Sequence, residues 1–226
     1  MKIKRLLLCI FMIIATAFGV AITLRIAIGV GAWDALAMGG SLITGIRVGT
    51  VGIILNLSCV AVQLAFMRKN FKIKHALQIV LCFTLGYAVN FFFYDVLGSF
   101  YISNYFLGII LLILAYTYLA FTVSFIMLLD AVIFPLEGAC KVISHKTGIK
   151  FHILRQGVDV ISVVLAVIMS FAFSVPLAVR EGTIIGMLMF GPLIGMFTKL
   201  LKPMLQRYDL ADSEEGAQDK AESVQM

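Results

Sequence analysis

Chemistry in this sequence is concentrated at two acids set in apolar, glycine-rich surroundings. Asp34 lies in GVGAWDALAMGGSLITGIRV, residues 29–48, and a shift of 103 residues carries it onto Glu137. The same shift takes Ser41 to Ser144, Thr44-Gly45-Ile46 to Thr147-Gly148-Ile149, Arg47 to Lys150 and Asn56 to Asp159 without a gap. Four of these seven pairs are identical and three keep their polar type. An ionised group at bilayer depth costs about 2.5 to 3.5 kcal/mol on insertion scales, so acids placed there are usually paired or functional. If both segments dip toward the midplane, Asp34 and Glu137 converge. Arg25 or Arg47 would then partner the first acid, and Lys150 or Arg155 the second. Such acids bind a cation or relay a proton. A plainer reading stays open: Asp34 caps a helix over Ala35 to Ser41, and Glu137 only favours the positive end of its own helix.

Polar groups on the flanking spans complete the candidate site. Asn56 and Gln63 stand seven residues apart on one face, while Gln156, Asp159 and Ser162 follow at spacing three. These should point into the bundle, where helix-to-helix hydrogen bonding accounts for them without a ligand. Asp159 can also pair with Arg155 one turn earlier. The candidate substrate- or ion-binding residues are therefore Asp34, Glu137, Arg47, Asn56, Gln156 and Asp159. No catalytic residue, cofactor site or metal site is expected. The sequence has three histidines, at predicted cytoplasmic boundaries, and lacks a phosphate-binding loop, HExxH and GxSxG. Cys9, Cys59, Cys82 and Cys140 form no CxxC and read as small buried hydrophobes. An enzyme is not expected.

The elements that must position these residues follow from composition. The 226 residues are 62% hydrophobic and 13% charged, with a mean hydropathy of +1.05, which marks an integral membrane protein. Apolar runs extend from Leu6 to Ile28, Val48 to Met67, Ala76 to Leu97, Tyr105 to Leu129, Val158 to Val175 and Thr183 to Leu201, each near the roughly 20 residues that cross a bilayer. The first also resembles a signal peptide with Ala15-Thr16-Ala17 near a cleavage point, but it runs on long enough to be an uncleaved span. With the N-terminus inside, the cytoplasmic segments hold fourteen lysines and arginines, against Arg25, Arg47 and Arg180 outside. Both termini are expected in the cytoplasm. The basic residues sit between spans, so orientation accounts for them and no nucleic-acid partner is expected.

The fold class expected is all-α, a polytopic bundle of about six transmembrane helices in two repeats, residues 1–105 and 106–207. Because each repeat holds three spans, the second enters the membrane from the opposite face. Each motif copy, too greasy for a loop and too polar for a span, fits a short re-entrant or interfacial helix starting after Asp34 or Glu137. Gly45 with Gly49, Gly182 with Gly186, and Gly191 with Gly195 have the spacing that lets helices approach closely, and Pro192 is expected to kink or break the sixth span. Residues 208–226 hold six of the twelve acids and little to bury, and read as a disordered cytoplasmic tail.

At these residues the chain resembles the bacterial YczE-like membrane proteins, grouped with the broader YitT-like families. The resemblance rests on Gly29-x-Gly31-Ala32-Trp33-Asp34 followed by Thr44-Gly45 and Gly49-Thr50-x-Gly52, on Arg155 opening the fifth span, and on Gly182-Thr183 followed by Gly191-Pro192. Members often carry proline where this chain has Ala32. The likeness implies a multi-pass protein of the bacterial inner membrane and supplies no substrate. The expected function is a small secondary transporter or permease for a small molecule or ion. The rival is a membrane scaffold or regulatory partner that engages other proteins through its tail, or anionic lipids through its basic loops.

Overall fold

The computed structural model describes residues 2–67, 73–130 and 132–207, and among them every regular element is helical. In chain order these are α1 Lys2–Ile26, α2 Ala32–Thr44, α3 Val48–Met67, α4 Ile73–Asn90, α5 Tyr105–Leu129, α6 Pro135–Thr147, α7 Phe151–Phe173 and α8 Glu181–Arg207. A π-helical segment, Phe91–Val96, continues α4. Six of these helices are long and apolar enough to cross a membrane, and α2 and α6 are the two short ones between them. The protein is thus a polytopic helical bundle. The tail expected to be disordered lies outside the described residues.

The 103-residue period governs the backbone as well as the sequence. Shifted by that amount, the limits of α1 become those of α5, those of α2 become those of α6, and the start of α3 becomes that of α7. The ends of α2 and α6 show why. Gly45 and Gly148 take the left-handed conformation at φ 72° and 74°, which costs glycine little, and their N–H groups bond the Ser41 and Ser144 carbonyls at 2.9 Å. Ser41 Oγ then donates to the Ile46 carbonyl and Ser144 Oγ to that of Ile149, both at 2.6 Å. One set of residues builds one turn twice.

The two halves meet along α1 and α5. Thr16 Oγ1 donates to Thr122 Oγ1 at 3.1 Å, and a Cβ on Gly19 would lie 2.7 Å from Leu119 Cδ2. Thr122 is Gly19 shifted by 103 residues, and Leu119 is Thr16 so shifted. Residues rising in α1 therefore meet residues falling in α5, and the contact is exchanged between the repeats as across a two-fold axis. Around this pair α4 packs on α1 and α8 on α5. The short helices cross over: α2 packs on α7 and α6 on α3.

The halves differ in how their outer pairs pack. Helices α3 and α4 are in close contact, whereas α7 and α8 are not so paired. Gly49 and Gly86 explain the tight pair, because a Cβ on either would fall well inside contact distance of the other's carbonyl oxygen. Asn90 locks the crossing, accepting from the Gly49 N–H at 2.8 Å and donating to Thr50 Oγ1 at 3.0 Å. The shift places His152 and Met189 where the glycines stand. Those side chains forbid the same approach.

Several expected boundaries move. Helices α2 and α6 begin at Ala32 and Pro135, before Asp34 and Glu137, since Gly31 and Phe134 are the residues at their N-caps. The fifth span starts at Phe151, where its polar first turns continue the apolar run. Pro192 does not break α8, which runs unbroken from Glu181 to Arg207. Gly191 and Gly195 are exposed with open space where a Cβ would be, and Gly45 caps a helix, so of these two expected pairings only Gly49 packs closely, against Gly86. Gly182 and Gly186 do pack closely, against Leu112 and the Tyr116 ring.

Candidate functional site

The site is built by the crossing of the short helices. Because α2 lies on α7, its first turn delivers Asp34 to the segment of α7 that carries Arg155 and Asp159. Asp34 is the third residue of its helix and makes no capping bond, so it is not the N-cap that one reading expected. Its carboxylate turns back over Gly31, where a Cβ would lie 3.0 Å from Oδ2. No described residue hydrogen-bonds to it. Enclosure among apolar walls pushes the carboxyl up to about 6; the positive charge of Arg155 acts downward on it and the negative charge of Asp159 upward. Glu137 holds the equivalent third position of α6.

Arg155 answers the other two acids. Its Nε lies 3.4 Å from Glu137 Oε1, and its Nη1 is in a short contact with Asp159 Oδ1 one turn along the helix. Three carboxylates thus share the field of one guanidinium. Two are bonded to it and the third, Asp34, is not. The alternative partners go elsewhere: Arg25 donates through Nε and Nη2 to the Phe93 carbonyl at 3.0 and 2.7 Å and stacks on the Phe93 ring. Arg47 is exposed over the Tyr94 ring, and Gln156 faces outward on α7, so neither residue joins the other candidates. Lys150 is the residue at the N-cap of α7 and makes no ion pair with Glu137.

Next to Asp34 lies a cavity of about 50 Å³ between the first four helices. It opens over Gly52 and Asn56 of α3 and is walled by Trp33 and by aliphatic side chains of α1 and α4. One water needs roughly 10 to 15 Å³ of such space, so there is room for a small ligand or a few waters. Asn56 has no hydrogen-bonding partner among the described residues, and the buried Trp33 Nε1 has none either. Gln63, about two turns further along the same face of α3, is fully buried and makes other contacts. It donates to Gln78 Oε1 at 2.9 Å and to the Pro135 carbonyl at 3.0 Å, pinning α6 to α3 and α4.

Reasoning from the sequence missed Trp33, Gly52 and the α4 wall. A glycine facing a void leaves no trace in composition, although Gly52 falls in the motif and its shifted counterpart is the conspicuous Arg155. Among the described residues no three of His, Cys, Asp and Glu are placed to hold a metal ion. The four cysteines are buried and free. No curated protein and no solved structure matches this chain. Residues 3–199, nearly the whole helical body, match one family model, and the chain belongs to that family, DUF6198, a family of unknown function.

Proposed function

We propose that this protein is a small secondary transporter that moves a cation, with its two halves as inverted three-span repeats hinged on α1 and α5. The observation that carries this reading is the crossed packing of the short helices, which places Asp34 of the first half in the field of Arg155 and Asp159 of the second. A site shared between two halves changes whenever one half rocks against the other, which is what alternating access requires. Of the three acids around Arg155, Asp34 is the one without a hydrogen-bonding partner among the described residues, and so the one free to take a proton or a cation. Glu137 and Asp159 hold Arg155 as a fixed counter-charge. The resemblance to YczE-like proteins, and with it a bacterial inner membrane with both termini inside, belongs to the same reading.

The test is charge displacement by purified protein in liposomes on a solid-supported membrane, after jumps in proton, sodium, potassium and small organic cation concentration. A saturable displacement for at least one of these, lost in Asp34→Asn, is expected. No displacement above protein-free liposomes for any of them, or an unchanged signal in Asp34→Asn, overturns the proposal.

A further inference from the structure

The repeat contains its own comparison for the cavity. Shifted by 103 residues, Asp34 becomes Glu137, Asn56 becomes Asp159 and Gly52 becomes Arg155. In the second half the guanidinium at the Gly52 position occupies the space between the acid of the short helix and the polar residue of the span. In the first half the corresponding acid and amide are present, the corresponding cation is missing, and the space over Gly52 is open, with nothing within 4 Å of a Cβ built there. Asp34 and Asn56 both lack hydrogen-bonding partners among the described residues. The first half has kept the socket and lost the plug.

We propose that the cavity over Gly52 binds a small organic cation bearing N–H donors, a guanidinium or a short primary ammonium, held between Asp34 and Asn56. The walls argue for an organic ion. A hard metal ion such as calcium or magnesium takes six or more oxygens, and Asp34 and Asn56 are the only side chains at this cavity that offer any. Val20, Leu24, Leu85 and Val89 suit an alkyl substituent instead. A water admitted with the ligand accepts from Trp33 Nε1. This assignment rests on the cation-transport reading for its physiological meaning, while binding itself is measured separately.

Thermal unfolding of the full chain in detergent tests it, with guanidinium, methylguanidinium, methylammonium, sodium and potassium chlorides as probes at matched ionic strength. Binding to the folded state raises the apparent melting temperature. At least one N–H cation is expected to give a saturable rise that the alkali ions do not. Asp34→Asn is expected to weaken it roughly ten- to a hundredfold, as loss of a charge-assisted bond does. Gly52→Arg fills the socket from within, so it is expected to abolish the response while leaving the protein folded and at least as stable. No response of the wild type to any N–H cation overturns the proposal. So does a response that survives in Gly52→Arg. Binding without charge displacement in liposomes leaves the site standing and removes the transport reading. Displacement by alkali ions without N–H binding does the reverse.

Discussion

Replacing Asp34 by asparagine separates the cost of its charge from the rest of the bundle. Enclosure raises its carboxyl from an ordinary 3.8 to about 6. At 1.36 kcal/mol per pH unit, the enclosed ionised carboxylate destabilises the folded protein by about 3 kcal/mol at neutral pH. The sign follows from proton binding. Between pH 4 and 6 the folded state holds a proton that the unfolded state has released, so stability falls as pH rises through this window and is flat in this respect above it. The neutral isostere removes the cost. Asp34→Asn is therefore expected to melt higher than wild type at pH 7.5, by on the order of 6 to 12 °C for a chain of this size, and with wild type at pH 4. The assay is melting of both proteins in one detergent from pH 4 to 8, without organic cations. A constant difference across that range would refute the reasoning, and a lower melting point for the variant at pH 7.5 would mean that Asp34 has a bonded partner.

Other perturbations read other parts of the architecture. Gly49→Ala places a methyl against the Gly86 carbonyl and is expected to cost about 1 to 3 kcal/mol, whereas Gly52→Ala, three residues on and facing the void, should stay within about 0.5 kcal/mol; melting of the two variants compares them. Arg155→Leu strands the half-buried Glu137 and Asp159 and is expected to cost about 1 to 3 kcal/mol, with partial rescue when Asp159→Asn is added. Because the native cysteines are all buried, introduced ones report sidedness over a quiet background. Ser99→Cys should react with an impermeant maleimide on intact cells and His145→Cys only in inverted vesicles; the opposite pattern would reverse the orientation.

The spans were legible because long apolar runs bounded by charge have few other fates in water or lipid, and Val48–Met67 and Tyr105–Leu129 fall on their expected limits. The repeat was legible through seven matched pairs, five of them polar. The starts of α2 and α6 were not, since glycine and phenylalanine at the N-cap positions carry no capping side chain to announce a helix. Nor was it visible that Arg25 would donate to the Phe93 carbonyl, because where a helix ends, and so which carbonyls it leaves without an intrahelical partner, is not displayed by residue types. The span continued through Pro192 for a related reason: a proline removes one N–H and crowds one turn, and a helix of 27 residues packed along α5 has many other bonds to hold its course.

What the repeat adds is a control that a single-copy protein lacks. Where the halves agree, as at Ser41 and Ser144 with their matching turns, the residues build the same local structure in both. Where they disagree, the difference marks what each half does separately. Gly49 and Gly86 close α3 on α4, while His152 and Met189 keep α7 and α8 from the same approach, so the two outer pairs are not interchangeable. Gly52 leaves open what Arg155 fills. Both departures fall around the cavity beside Asp34, and divergence in packing at the place of divergence in charge is what the proposed cation site requires, with the guanidinium in one half and the open space in the other.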